Sequence, residues 1–308
     1  MTHPHLALVG PTASGKSAIA LEAARILGDV EIVSVDAMQV YRGMDIGTAK
    51  PSPSERAAVP HHLIDIADPW EDWSVVRFRD AAREVVADIE ARGRRALLVG
   101  GTGLYFRAVV DPLEFPGEDR RIREEIDAEG PTSALYGRLA AADPRAASRI
   151  DPANRRRIVR ALEVIKVTGR LFSSFGPGLD SYGDPVIPVA IVGTRSDADR
   201  LRQRIHDRLI DMRATGLVGE VQALLDQDRP LSRTASQAIG YAEVIEHLEG
   251  RLTEDEAFAV AERRTRRFAR RQRKWFERDP RVQWLEIENP SDGVASALEC
   301  WSSCHTSA

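Results

Sequence analysis

The stretch Gly10-Pro11-Thr12-Ala13-Ser14-Gly15-Lys16-Ser17 carries the strongest structural signal in this chain. It follows an apolar run, Leu6 to Val9, and precedes a good helix-forming segment, Ala18 to Leu27, so it stands between a strand and a helix. In that setting the spacing predicts a phosphate-binding loop, because the glycines let backbone N–H groups turn inward at a helix start. Lys16 would contact phosphate oxygens, and the Ser17 hydroxyl would ligate Mg²⁺. The alternative is an ordinary tight turn.

Length and composition limit the classes of protein that remain. The 308 residues are 43% hydrophobic and 29% charged, which suits one large core plus a smaller domain. No signal-peptide pattern and no apolar run near 18 residues is present, so we expect a cytoplasmic protein, a monomer, without a membrane partner. Cys300 and Cys304 stand beside His305 in what reads as a short terminal tail. Three candidate ligands without a fourth favour incidental cysteines over a metal clip.

Two arginine-rich segments interrupt an otherwise acidic chain, whose net charge is −4 and pI near 6.0. Such patches are typical of a surface that binds a polyanion. The alternative is a solvated helix face with internal ion pairs, but Glu262 and Glu277 are too few to neutralise the second segment. The two segments contain Arg155, Arg156, Arg157 and Arg160, and then Arg263, Arg264, Arg266, Arg267, Arg270, Arg271, Arg273 and Lys274.

Hydrophobic patterning predicts a parallel sheet whose strands alternate with helices. The strand Glu31 to Val35 ends at Asp36, which should face the phosphates because strand ends line the ligand crevice in such sheets. A Gly-rich turn, Gly100 to Gly103, follows another strand and would bring Thr102 to the same crevice, unless it is a simple strand-to-helix turn. The strands are expected at 6–9, 31–35, 61–66, 96–99, 186–192 and 282–285.

Helices are expected at 18–27, 75–89, 104–110, 119–129, 132–142, 152–168, 197–212, 220–226, 236–248 and 254–277, and Gly240-Tyr241 should interrupt the one at 236–248. The βα alternation stops near Pro116, and helical segments follow without strands. We therefore predict an α/β, P-loop NTPase-like core over residues 1–116 and 179–308, with a small all-helical insertion domain over 117–178. Between the second strand and the third, the loop Arg42 to Pro51 could either meet a polar partner or form an ordinary surface connection.

Three long stretches carry a resemblance to a known family. The phosphate-loop motif, then Ser34 to Pro51 (SVDAMQVYRGMDIGTAKP), then Leu97 to Tyr105 (LLVGGTGLY) resemble the tRNA dimethylallyltransferases. Later segments are similar to the same family in the same order: Arg160 to Val164, Gly240-Tyr241 with Glu243, and Arg271-Gln272 before Trp275-Phe276. The likeness extends from residue 6 to about residue 285.

The resemblance implies a reaction and assigns roles to matching positions. The donor would be dimethylallyl diphosphate, and the acceptor N6 of the adenosine just 3′ of the anticodon (position 37) in a tRNA anticodon stem-loop. The product would be N6-isopentenyladenosine. Asp36 matches the family's general base, Thr102 its essential site threonine, and Arg123 and Arg208 its functional arginines. Gly10 to Ser17 matches its diphosphate and magnesium grip, and the positions matching tRNA contacts are Asp36, Ala37, Met38, Gln39, Arg156, Arg157 and Arg160.

Departures and rival functions remain open at this point. Ala37 stands where many relatives have Ser, and Lys274 where many have Thr, so two details of tRNA contact are in doubt. A strand-end Asp36 would equally suit a P-loop kinase for a small metabolite. An RNA-binding NTPase and a relative that prenylates free adenine nucleotides are further alternatives. The arginine patches favour the transferase acting on tRNA, since a small-molecule kinase gains nothing from them.

Overall fold

A computed structural model describes residues 5–175, 179, 181–288 and 290–303 of the chain. Its strands are β1 (His5–Val9), β2 (Val30–Ser34), β3 (His61–His62), β4 (Arg95–Gly100), β5 (Val189–Arg195) and β6 (Gln283–Glu286). They form one sheet in the order β3-β2-β4-β1-β5-β6, and every neighbouring pair is parallel. The expected α/β core with a parallel sheet is confirmed.

The helices follow the strands along the chain in the alternation that a parallel sheet requires. They are α1 (Lys16–Leu27), α2 (Pro53–Ala58), α3 (Val75–Ala91), α4 (Gly103–Val110), α5 (Arg120–Ala128), α6 (Thr132–Ala142), α7 (Pro144–Ala147), α8 (Arg155–Thr168), α9 (Ala198–Thr215), α10 (Leu217–Leu225), α11 (Arg233–Ser236), α12 (Tyr241–Leu248), α13 (Glu254–Phe276) and α14 (Pro290–Ser303). Within the described residues, none of these helices has both the length and the apolar character needed to cross a bilayer.

The sheet is covered on both faces, so its central strands are largely apolar. In β1, Ala7 and Val9 point into a core shared with α3, α4, α9, α10, α12 and α13, whereas Leu6 and Leu8 point into a second core shared with α1 and α14. This division follows from the alternation of side chains along a strand. All five residues of β1 are buried. The burial fixes the register, because a one-residue slip would exchange the two faces.

The chain divides into two compact units. The first comprises Met1–Asp111 and Asp184–Ala308, and the second comprises Pro112–Gly183, a wider segment than the predicted 117–178. The described residues of the second unit form helices α5 to α8 and a 3₁₀ turn, Phe172–Ser174, and no strand. Ile126, Leu139 and Ile158 are among the residues of its own small core.

Some predicted elements were wrong for reasons that lie in the backbone. The strand expected at 61–66 contains only His61–His62, because Leu63 (φ +63°) and Asp65 (φ +57°) adopt left-handed conformations that end the pairing. The helix expected from 236 to 248 with an interruption at Gly240-Tyr241 is helical only from Tyr241 (α12), after Gly240 at φ +95°, and the residues before it contain only the short helix α11. The strand expected at 186–192 begins at Val189 and continues to Arg195.

Three helices were missed, the short helix α7 among them, and one predicted helix starts later than expected. Helix α2 is short, and α14 lies where a terminal tail was expected; Cys300 belongs to α14 and packs against the core that α1 covers. Cys304 and His305 lie outside the described residues. Helix α8 begins at Arg155 rather than 152, because the Asn154 side chain caps it by accepting from the Arg157 N–H.

Candidate active site

The loop between β1 and α1 has the shape of an anion-binding turn. Ala13 (φ +61°) and Gly15 (φ +87°) take left-handed conformations that curl the backbone. In the described part of the chain, no acceptor takes the N–H groups of Ala13, Gly15, Lys16 or Ser17. The α1 N-terminus has neither a side-chain cap nor an acidic residue in its first turn. Free donors at the positive end of a helix are suited to a phosphate group.

The back of this loop is fixed by β5. A Cβ at Gly10 would lie 2.3 Å from Thr194 Oγ1, so only glycine allows the loop to leave β1 at this point. The same Thr194 hydroxyl hydrogen-bonds the buried Ser14 hydroxyl at 2.7 Å. Strand β5 therefore supports the loop from behind and leaves its other face open. This role of Thr194 was not predicted, because Thr194 is far from the loop in sequence.

Two cations line the open side of the loop. Lys16 Nζ donates to the Pro11 carbonyl at 3.0 Å, and Arg208 Nη1 on α9 donates to Thr12 Oγ1 at 3.1 Å. Desolvation and the neighbouring Arg208 charge lower the pKa of Lys16 to about 8, while Asp36 opposes the shift. Desolvation lowers the pKa of Arg208 too, and Asp36 again raises it. The two cations supply the positive charge that a site for a diphosphate requires, and the Asp36 carboxylate interacts electrostatically with both of them.

Asp36 follows β2 and is held in a defined orientation. Its Oδ1 accepts from the N–H of Met38 at 2.8 Å and from the N–H of Gln39 at 3.4 Å. Its second oxygen has no hydrogen-bond donor among the described residues. The Gln39 side chain accepts from Ser34 Oγ and donates to the Thr48 carbonyl, which secures the turn. Asp36 therefore offers one committed oxygen and one available oxygen, as expected of a proton acceptor.

Thr102 lies at the beginning of α4, at the end of the neighbouring strand β4. It is the N-cap residue, but its side chain makes no capping hydrogen bond. Strand ends β2 and β4 touch at this edge: the Val35 N–H donates to the Val99 carbonyl at 2.8 Å, and a Cβ at Gly100 would lie 2.1 Å from the Val35 carbonyl oxygen. This contact brings the Asp36 turn and the Thr102 turn to one edge of the sheet.

In the predicted loop Arg42 to Pro51, polar groups bond to other residues of the first unit. Lys50 Nζ donates to the Tyr41 carbonyl at 2.5 Å and pairs with Asp45 and Asp65. Glu220, which sequence reasoning missed, accepts from the N–H groups of residues 45 and 46 and from the Tyr241 hydroxyl. Of the two interpretations left open, the structural connection is the one the contacts favour.

In the second unit, several predicted site residues have partners of their own. Arg123 forms ion pairs with Glu118 and with Glu163, a carboxylate that is fully buried. Arg160 also pairs with Glu163 and donates to the carbonyls of residues 116 and 117. Arg156 and Arg157 are exposed, and no carboxylate of the described residues pairs with either. The two free arginines are therefore the better candidates for contacting a polyanion.

Helix α13 presents a second basic surface, in the first unit. Its exposed basic residues recur every three or four positions, and among the described residues five of them have no acidic partner, namely Arg263, Arg267, Arg270, Arg271 and Lys274. Other basic residues are neutralised: Arg264 pairs with Glu243, and Arg266 with Glu262. The aromatics among them are largely core anchors, since Phe276 is buried against Phe106.

Helix α13 also joins two site loops, through a residue that carried no predicted role. The Thr12 N–H donates to Gln272 Oε1 at 2.9 Å, and Gln272 Nε2 donates to the Gly101 carbonyl at 3.0 Å. A Cβ at Gly103 would lie 2.0 Å from the ring of Trp275. The signal in the sequence was the pair of glycines flanking Thr102, which indicates that something approaches the backbone there.

Comparisons with known proteins agree on one family. A model described as IPP transferase matches residues 39–279. The chain is 51% identical over 295 residues to a tRNA dimethylallyltransferase of Salinispora tropica, covering 94% of this chain and 90% of that one. It is also 51% identical over 298 residues to a tRNA dimethylallyltransferase of Streptomyces coelicolor, covering 96% and 92%.

Solved structures give the same result. The tRNA isopentenylpyrophosphate transferase of Bacillus halodurans superposes with a TM-score of 0.69 at 38% identity, covering 98% of this chain and 99% of that chain. A eukaryotic dimethylallyltransferase acting on tRNA superposes with a TM-score of 0.79 at 25% identity, covering 96% and 77%. These matches favour the transferase over the small-molecule kinase that the phosphate loop alone had left open.

Proposed function

Because the chain belongs to the IPP transferase family, as a tRNA dimethylallyltransferase, we propose that its first unit carries out prenyl transfer at the edge formed by β1, β2 and β4. The donor is dimethylallyl diphosphate and the acceptor is N6 of the adenosine 3′ of the tRNA anticodon. The observation that supports this most is that an anion-binding loop lies beside two cations, Lys16 and Arg208, and that both cations interact with the oriented carboxylate of Asp36.

The diphosphate would bind to the loop Gly10 to Ser17. Its oxygens would accept from the free N–H groups of Ala13, Gly15, Lys16 and Ser17, and the charges of Lys16 and Arg208 would balance the negative charge that grows as the C1–O bond breaks. Arg208 is already aligned through its bond to Thr12 Oγ1. A leaving group stabilised in this way departs readily from an allylic carbon.

The acceptor amine needs a base, because its lone pair is delocalised into the adenine ring. As N6 bonds to C1 of the dimethylallyl group, diphosphate leaves with the electron pair of the broken C1–O bond, and one N6 proton passes to Asp36. The available oxygen of Asp36 is the acceptor, while its other oxygen keeps the bonds that hold the turn. Thr102, whose hydroxyl makes no capping bond, would contact the adenine.

The residues beside the loop fit a magnesium ion that arrives with the diphosphate. Ser17 is exposed at the start of α1 and would supply one hydroxyl oxygen. The described part of the chain holds no group of three His, Cys, Asp or Glu side chains able to grip a metal, so diphosphate and water would complete an oxygen shell. When bound, the ion would neutralise part of the charge on the departing diphosphate.

Two separate surfaces are proposed to contact the tRNA. In the second unit these are Arg156 and Arg157. Arg123 supports them by joining α5 to α8 through its ion pair with Glu163, and Arg160 pairs with the same carboxylate. In the first unit they are the Asp36 to Gln39 turn and the basic face of α13. Phosphate contacts of this kind hold the anticodon stem-loop, in which an unpaired base is extruded at small cost.

The proposal is tested by product analysis. The protein is incubated with unmodified tRNA, Mg²⁺ and either dimethylallyl diphosphate or ATP, and the digested tRNA is examined by nucleoside mass spectrometry. We expect N6-isopentenyladenosine 3′ of the anticodon with the prenyl donor only. Consumption of ATP without prenylated nucleoside would refute the proposal and restore the kinase alternative. Equal prenylation of free adenine nucleotides would refute the assignment of tRNA as acceptor.

A further inference from the structure

We propose that Gln272 is a positioning residue that sets the distance between the phosphate loop and the Thr102 turn. The inference rests on the proposed function, since it concerns how the diphosphate and the acceptor adenine are held relative to each other. Gln272 lies on α13, is only 6% exposed, and is assigned no contact with either reactant. Its carboxamide instead spans the two loops.

The hydrogen-bonding needs of the two loops select a carboxamide. The Thr12 N–H requires an acceptor and the Gly101 carbonyl requires a donor, and Gln272 supplies both, at 2.9 and 3.0 Å. An amide side chain carries an acceptor and a donor on the same carbon, so one small group meets both needs. Glutamate would place a second oxygen against the Gly101 carbonyl, and alanine would leave both backbone groups unpaired in a buried setting.

Sterics support the same role. A Cβ at Gly101 would lie 2.3 Å from Gln272 Nε2 and 2.9 Å from the Gly10 carbonyl oxygen, so the Gln272 side chain packs tightly against Gly101 where this loop approaches Gly10. One helical turn later, Trp275 presses on Gly103, the residue after Thr102. Helix α13 thus contacts the backbone on both sides of Thr102.

Nothing else in the described backbone performs this task. Strands β1 and β4 are paired up to the register pair Val9–Gly100. Beyond that pair, no backbone hydrogen bond of the described residues joins the loop after β1 to the loop after β4. Without Gln272 the direct link between the two loops would be lost, and their separation would depend only on the strand pairing and on the contacts of Thr194 and Trp275. Misplacement of reacting groups by about 1 Å costs on the order of 10²-fold in rate.

The N–H groups proposed to bind diphosphate are not those that Gln272 uses. Gln272 occupies the Thr12 N–H, while the groups of Ala13, Gly15, Lys16 and Ser17 are left open. Donor affinity should therefore survive the loss of Gln272 while turnover falls. Replacing a residue that only keeps the fold stable would lower donor affinity and turnover together.

The experiment measures kcat and donor KM of full-length Gln272→Ala and Gln272→Glu, with tRNA affinity from filter binding and thermal melting of each protein. Phe258→Leu serves as the matched control, because Phe258 packs into the core near the start of the same helix, about 20 Å along the helix axis from Gln272. We expect both Gln272 variants to lose about 10- to 100-fold in kcat, with donor KM and tRNA Kd within about threefold of the unmodified enzyme.

Each other result overturns one specific statement. A kcat no lower than that of Phe258→Leu would overturn the positioning role. A loss that appears in tRNA Kd alone would make Gln272 an RNA contact instead. If the alanine variant does not fold, the glutamate variant, which keeps the side-chain size, decides by the same criteria. Absence of prenylated product from the unmodified enzyme would overturn the proposed function itself.

Discussion

Replacing Asp36 by asparagine removes the proposed base while preserving its structural role. The asparagine side chain would keep the Oδ1 that accepts from the N–H groups of Met38 and Gln39. The turn should therefore survive, and the free energy of unfolding should change by less than about 1 kcal/mol. The amide cannot accept the N6 proton. Loss of a general base lowers turnover about 10²- to 10⁴-fold, which corresponds to about 3 to 5 kcal/mol in activation free energy.

The assay is single-turnover prenylation of tRNA, with tRNA affinity and thermal melting measured in parallel. Asp45→Asn is the matched control, because Asp45 is a nearby carboxylate with a 59% exposed side chain that pairs with Lys50 and is not assigned to the chemistry. Asp36→Ala adds a second comparison. It removes the oxygen that accepts from the N–H groups of Met38 and Gln39, and it should therefore also lower the melting temperature. Turnover of Asp36→Asn equal to that of Asp45→Asn would refute the assignment of Asp36 as base.

Further predictions concern binding and stability. Lys16→Ala should raise donor KM or lower the rate at least about tenfold without changing tRNA affinity, and kinetics with a tRNA-binding assay would detect the opposite pattern. Arg156→Ala should weaken tRNA binding and reduce the salt dependence of log Kd by about 1. Arg160→Ala should mainly lower the melting temperature, because Arg160 pairs with the buried Glu163. Equal salt slopes for the two variants would contradict this. Arg92 and His62 hold the pKa of Glu31 down from 4.5 to about 2. Glu31→Gln should therefore lose about 1 to 2 kcal/mol of stability at neutral pH, a difference that shrinks in urea titrations as pH falls from 4.5 towards 2.

The sequence by itself determined the elements whose signal is local. The run from Leu6 to Ser17 carries an apolar strand, two glycines and a helix start within a dozen residues or so, and the structure has that order. The carboxylate at the end of β2 and the glycines around Thr102 were equally readable, because parallel strands end at the same edge of a sheet. The family resemblance then supplied roles that no local pattern contains.

Local patterns failed where the backbone or distant packing prevailed. Leu63 stands in an apolar run that favours a strand but adopts a positive φ, a conformation that a leucine side chain gives no reason to expect, and Asp65 adopts a positive φ as well. Helix α14 was missed because its apolar face gains meaning only against α1, at the other end of the chain. The arginine cluster posed the same problem. Arg156 and Arg160 lie close together in sequence, yet Arg160 pairs with a buried carboxylate whereas Arg156 pairs with no carboxylate of the described residues.

Only the tertiary structure decided which groups of the site are connected. Thr12, Gly101 and Gln272 are separated by most of the chain, and a carboxamide that satisfies both loops becomes visible only when α13 is packed over the sheet. Hydrogen bonds between distant residues depend on a geometry of a few tenths of an ångström, which the hydrophobic pattern of a sequence does not encode. Chemistry-bearing residue types are thus legible in the sequence, whereas their spacing is a property of the packed fold.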